Sequence, residues 1–207
     1  MRKFLPVLLI LFLVVGCATT SRTPIHKIVG SSTVRTKVVL LDSGNVDKAY
    51  QKVAVREFEA KLLKQPVSYT IRSTIGGQKV DLVLITRKEV QVLRSSSPQE
   101  LIAVGKESDV NTLIVLEPLK VEYSEGSAKR GEEFCVVRRA YVVIRAKVYE
   151  TNRGSLIFGG VYDGKAEARQ CSKGIQRTDK LPNRDSLVVR AVKKAAEKFA
   201  GDFWSAL

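Results

Sequence analysis

Leu187, Ala191, Ala195, Phe199, Phe203 and Leu207 recur at every fourth position, with Val188 and Val192 widening the row. Arg190, Lys193, Lys194 and Lys198 fall on the other side, so the spacing predicts an amphipathic helix lying on a sheet. Upstream the period changes. Ala140, Val142, Ile144, Ala146 and Val148 alternate with Tyr141, Val143, Arg145, Lys147 and Tyr149, the pattern of a half-buried strand. Asn152-Arg153-Gly154 fits a three-residue hairpin loop with glycine in the left-handed position. That loop pairs Thr151 with Ser155, Val148 with Phe158, Ile144 with Tyr162 and Ala140 with Ala166. It also opposes Arg139 to Glu167 and Cys135 to Cys171. A slip of one residue moves Phe158 and Tyr162 to the wrong face.

The rest of the chain is read in the same way. Lys37 to Leu41 (KVVLL) is a compact apolar run, expected as a buried first strand. Val46, Tyr50, Ala54, Phe58 and Leu62 form an i, i+4 row, predicting a helix capped by Asn45, helped by Asp47, and ended before Pro66. Val67 to Arg72 and Lys79 to Ile85 read as strands around a Gly76-Gly77 turn. Thr86-x-x-Glu89 and Ser97-Pro98-x-Glu100 are capping boxes, each expected to open a short helix. Asn111 to Leu119 is an apolar strand in which Pro118 marks an edge or a bulge. Ser124 to Glu133 and Ser172 to Asn183 are polar and read as loops.

The N-terminus has a different character. Arg2 and Lys3 precede an apolar run from Phe4 to Val15, broken only by Pro6. About a dozen apolar residues are too few to cross a bilayer, which takes roughly 20. The layout is that of an export signal. Val14-Val15-Gly16-Cys17 resembles the lipobox of bacterial lipoproteins, with Val14 where leucine is commoner. The resemblance implies cleavage before Cys17, a diacylglycerol thioether on its sulfur, and a further acyl chain such as palmitate. Several chains anchor effectively permanently where one is marginal. Ala18 follows the cysteine where inner-membrane retention usually shows Asp, which implies the outer membrane. The expected organisation is therefore a signal peptide over 1–16, a flexible tether over 17–33 and one domain over 34–207. The 16 residues from Cys17 to Ser32 reach at most about 55 Å.

Charge and chemistry refine the picture. The chain has 35 Lys+Arg against 21 Asp+Glu, a formal charge of +14. Export disfavours nucleic acid as the acidic partner, leaving envelope polymers such as peptidoglycan and lipopolysaccharide. The single histidine, His26, falls in the expected tether, poorly placed for a histidine-dependent catalytic or zinc site. Asp42 and Glu117 are the carboxylates weighed for cell-wall cleavage, and nothing in the sequence brings them into one cleft. Cys135 and Cys171, opposed in the hairpin register, point to a disulfide in an oxidising compartment. Unlinked thiols remain an alternative, as does a reactive or metal-binding pair, though the latter lacks Cys-x-x-Cys spacing and supporting histidines. No cofactor is implied.

The element order, the KVVLL strand, the Thr151-Asn-Arg-Gly154 tip and the closing Phe203-Trp204-x-x-Leu207 together resemble the curli-secretion-channel subunit family (CsgG-like). They also resemble its relatives with a TolB N-terminal-like domain, over roughly 34–207. The resemblance implies an α+β fold, a mixed sheet with a long antiparallel hairpin packed by two or three helices. That family defines no catalytic residue. The expected function is a non-enzymatic, periplasm-facing lipoprotein that assembles or adapts through protein or polymer contacts. The alternative is a subunit of an outer-membrane secretion channel, which would be a homo-oligomer. Arg139, Arg145, Lys147 and Lys165 on the outer hairpin face argue against membrane insertion, because charges at bilayer depth are costly.

Overall fold

The computed structural model describes residues 23–207 except 43, 64–67, 74–75, 87–88 and 176, with backbone alone over 68–73 and 76–79. The expected signal peptide, Cys17 and the first part of the tether lie outside the described residues. The elements are α1 (Ile25–Ile28), β1 (Thr33–Leu41), α2 (Lys48–Leu63), β2 (Ser68–Ser73), β3 (Gly76–Leu84) and β4 (Val92–Leu93). They continue as α3 (Pro98–Ser108), β5 (Thr112–Arg130), β6 (Glu133–Glu150), β7 (Ser155–Lys173) and α4 (Arg184–Ala206). The expected α+β class holds. Among the described residues one mixed sheet runs in the order β2-β3-β1-β5-β6-β7, with β4 paired to β1 off that path.

β1 is the hub. It pairs in parallel with β3, β4 and β5, and both its faces are covered, which is why its second half, Val38 to Leu41, is a continuous apolar run rather than an alternation. On one face α2 and α4 enclose the larger core, where Phe58, Phe199 and Phe203 are fully buried. On the other, α3 covers Val39, Leu113, Val115 and Tyr149 with Leu101 and Val104.

The hairpin register follows the expectation from Glu133↔Lys173 through Val148↔Phe158, with Arg139 opposite Glu167 and Cys135 opposite Cys171. It departs only at the turn. Tyr149 pairs with Leu156 and Glu150 with Ser155, so a bulge absorbs one residue and the loop has four residues, 151–154. The buried Glu150 carboxylate drives this closure by accepting the N–H groups of Asn152 and Arg153 at 2.6 and 3.0 Å. Gly154 is left-handed (φ +65°), and a Cβ there would meet Pro98 Cα at 2.6 Å.

Five other expectations are corrected. Ser124 to Arg130 is not loop: it extends β5 and pairs with β6 from Arg139 to Glu133, so two long hairpins share β6. Residues 25–32 are not free tether. Ile25 is fully buried, and His26 sits with Nδ1 2.6 Å from the Leu207 carbonyl oxygen, so a few apolar residues dock this segment beside the end of α4. The α2 cap is Asp47, whose carboxylate accepts Ala49 N–H at 2.7 Å, rather than Asn45. Gly76 and Gly77 are strand residues, paired with Ser73 and Arg72. The described residues of the Thr86 box are not helical, while the Ser97 box does start α3, with Glu100 N–H on Ser97 Oγ. Pro118 marks a register shift, as its chemistry requires.

α2 also carries an unusual acid. Glu59 is half-buried beside Lys37, Arg56 and Val55, and burial pushes its carboxyl up to about 7 against the pull of Arg56 and Lys37. The unfolded chain releases that proton near the ordinary 4.5, so between these values the folded state binds more protons. Stability is expected to fall as pH climbs from about 4.5 to about 7, and Glu59→Gln should remove this component. Urea midpoints at pH 5 and pH 8 check it; an unchanged difference in the variant refutes it.

Candidate binding surface

The long hairpins and α4 shape an open cleft of about 1010 Å³. Tyr123, Tyr141, Lys165, Arg184 and Lys194 contribute to its lining. The sheet register places Glu122, Tyr141 and Lys165 in one cross-strand row and Tyr123, Ala140 and Ala166 in the next. Alternation sends successive rows to opposite faces, so Tyr123, Ala140 and Ala166 share the side that α4 covers, while the Tyr141 and Lys165 side chains project from the other side of the sheet.

Two of these cations, Arg184 and Lys165, are placed by aromatic rings. The Arg184 guanidinium lies 5.7 Å from the Tyr50 ring and 6.0 Å from that of Tyr123, bridging α2 and β5 across the N-terminus of α4. Tyr50 O–H donates to Asp185 at 2.8 Å; burial, then this bond, raises its phenol above its ordinary value. Lys165 stands 5.2 Å over the Tyr141 ring. Cations on rings keep their charge available to an anion while their stems stay ordered. Arg138 pins the far end, donating to Glu125 at 2.7 Å and to the Pro182 carbonyl at 3.2 Å, which ties the 174–183 loop to the sheet.

The acids of the cleft are paired, Glu167 with a cation that also lines it. Glu167 accepts from Arg139 at 2.8 Å, and Glu122 pairs with Lys120 at 2.7 Å. The carboxylates weighed from the sequence are likewise each engaged by partners of their own. Asp42 accepts from Gly44 N–H and Gln51 Nε2, which hold its carboxyl below the ordinary range, whereas Glu117 pairs with Arg145 at 2.7 Å.

Cys135 and Cys171 are joined in a disulfide. With Glu133 they form a grouping of metal-ligand type among the described residues, but bonded sulfurs offer no thiolate to an ion. Trp204, which the sequence left open between core and partner contact, is 7% exposed and meets Phe203 edge-on. Of the α4 lysines, Lys198 pairs with Asp163 at 2.6 Å, and Lys194 lines the cleft. Sequence reasoning missed the cleft itself, because Tyr50, Tyr123 and Arg184 are far apart in the chain and no local pattern links them.

Fold and surface thus define an α+β protein with a curled mixed sheet, two long hairpins and a cationic, tyrosine-lined cleft. Among the described residues no helix is long and apolar enough to cross a membrane. No protein-family model matches the chain. It is 28% identical over 206 residues to an uncharacterized protein of Aquifex aeolicus (strain VF5), spanning 97% of both. Among solved structures it is similar to the hypothetical protein CT253 from Chlamydia trachomatis, at 9% identity and a TM-score of 0.41 over 84% of this chain and 94% of that one. A PelC dodecamer from Paraburkholderia phytofirmans follows at 8% and 0.39, over 79% and 84%. A putative lipoprotein from Caulobacter crescentus CB15 gives 10% and 0.37, over 82% and 88%. None of these identities or scores carries a function to this chain, and none bears specifically on the curli-channel likeness.

Proposed function

We propose that this protein is a lipid-anchored, periplasm-facing lipoprotein of the outer membrane that works by contact, as an assembly or adaptor factor, without catalysis. The observation that carries the reading is the export signal ending in Val14-Val15-Gly16-Cys17 ahead of a self-contained domain. In this reading 1–16 is removed, Cys17 is acylated, and the domain presents its cleft to a protein or an acidic envelope polymer such as peptidoglycan. Lipid fixes the location and raises local concentration, while the cations bias encounter toward acidic partners. The paired state of Glu122, Glu167, Asp42 and Glu117 supports a binding surface over a hydrolase.

The test uses Cys17→Ser with crosslinking of intact cells. The wild type is expected in the outer-membrane fraction with a specific envelope crosslink, and the variant is expected to lose both. An unprocessed wild-type chain in the cytosol overturns the reading.

A secretion-channel subunit is the second reading, favoured by the two long hairpins that share β6. Against it stand Arg145, Lys147, Arg139 and Lys165, one face of which a bilayer would have to accommodate. Size-exclusion of detergent-extracted protein decides: a monomer at every concentration is incompatible with a channel.

A further inference from the structure

We propose that the Cys135–Cys171 bond is a thiol–disulfide exchange site, attacked at Cys171 by a dithiol, with Arg169 stabilising the sulfur that departs from Cys135. The two cysteines face each other directly across the β6–β7 ladder. Their access differs sharply: Cys171 is exposed, whereas Cys135 is 1% exposed. A nucleophile arriving from solvent therefore meets Cys171 Sγ, and the sulfur pushed off is that of Cys135.

A buried sulfur is a poor leaving group, because apolar surroundings disfavour the thiolate. Arg169 answers this. It precedes Cys171 by two residues, and so shares its face of β7. Its guanidinium reaches both sulfurs, Nε donating to Cys171 Sγ at 3.3 Å and Nη2 to Cys135 Sγ at 3.2 Å. A positive charge beside a sulfur lowers the thiol's pKa, and a leaving thiol of lower pKa departs faster. Glu133 is the opposing charge: its carboxylate oxygen lies within 4.8 Å of the sulfurs. A purely structural staple has no need of a guanidinium on both its sulfurs.

The exchange balances with a dithiol alone. One thiolate of the reductant attacks Cys171 Sγ and forms a mixed disulfide. The Cys135–Cys171 bond breaks, and its electron pair leaves on Cys135 as a thiolate beneath Nη2 of Arg169. The second thiol, deprotonated, attacks its partner's sulfur in the mixed disulfide, and Cys171 departs as a thiolate that takes up a proton. Two electrons pass to the protein, the reductant ends as a disulfide, and the protons of the dithiol pass to the cysteines or to solvent. The result unstaples β6 from β7 where the 174–183 loop returns across the sheet.

The experiment uses the oxidised full chain under native conditions. Dithiothreitol serves as the dithiol and glutathione as a monothiol that leaves a mappable adduct. Thiol release is expected without denaturant, with the glutathione adduct on Cys171. Arg169→Gln should slow release about threefold to tenfold and move the thiolate absorbance of the reduced protein to higher pH. Arg169→Lys should restore part of both, and Glu133→Gln should change both in the opposite sense to Arg169→Gln. Because these are rates and titrations of folded protein, a structural role alone would not move them. A wild-type bond that resists dithiothreitol until unfolded, an adduct on Cys135, or Arg169→Gln with unchanged rate and titration each overturns the proposal.

Discussion

Phe199→Ala is expected to lower the stability of the domain by about 3–5 kcal/mol, the range for emptying a fully buried phenylalanine site. Phe199 is 0% exposed and stands where α4 meets both α2 and β7. Its ring lies 5.3 Å from Phe58, 5.4 Å edge-on from Tyr162, 5.9 Å from Phe203 and 6.3 Å from Phe158. Those neighbours come from three elements, so no single side chain can swing in to fill the vacancy, and aromatic pairing energy is lost on top of buried area. Urea unfolding measures it directly. A loss under about 1 kcal/mol would mean that α4 is not seated on the sheet in this way.

Gly164→Ala should be nearly as damaging, although it adds one methyl group. Gly164 lies on β7 opposite Val142, directly under α4, and a Cβ there would sit 1.8 Å from the Ala191 carbonyl oxygen. That obstacle is helix backbone, which cannot rotate aside, so α4 must lift from the sheet. The expected cost is about 3 kcal/mol, the upper end of ordinary overpacking. Gly126 supplies the control. It is on β5 with nothing within 4 Å of a Cβ, so Gly126→Ala should be near neutral. Equal midpoints for the two variants in thermal unfolding would contradict the close approach of α4.

The elements most legible in the sequence are those whose pattern arises from burial on one face. The α4 row and the β6 alternation are of this kind, and each position buried in the structure carries an apolar residue. The register of β7 followed because a wrong pairing would have exposed Phe158 and Tyr162. The far half of β5 was not legible. Ser124 to Arg130 is exposed at every position, so no alternation marks it, and the strand is held by ladder bonds to β6 rather than by a core. The docking of α1 was hidden for a different reason. Ile25 is buried against parts of the chain remote in sequence, and four helical residues are too few to show a period. The hairpin turn needed Glu150, whose carboxylate captures two backbone N–H groups and shifts the closure by one residue. At the cleft, the residue types were visible but their convergence was not. The stacking of Arg184 between Tyr50 and Tyr123 depends on α2, α4 and β5 meeting at one point.

If Cys17 is acylated as proposed, the docking of α1 sets how far the body can stand from the lipid. With Cys17 acylated as proposed, only residues 18–23 separate the lipid from Pro24, where α1 begins to grip the body. Fully stretched, that leash spans about 25 Å, under half the reach of a tether running to the first strand. The pole bearing α1 and the end of α4 is then the membrane-side pole. β5 starts near that pole and runs 19 residues away from it, roughly 60 Å at strand rise, less whatever the curl of the sheet takes back. With the anchor as proposed, the hairpin tip at Gly131 would lie at the end of the molecule away from the point where the leash attaches.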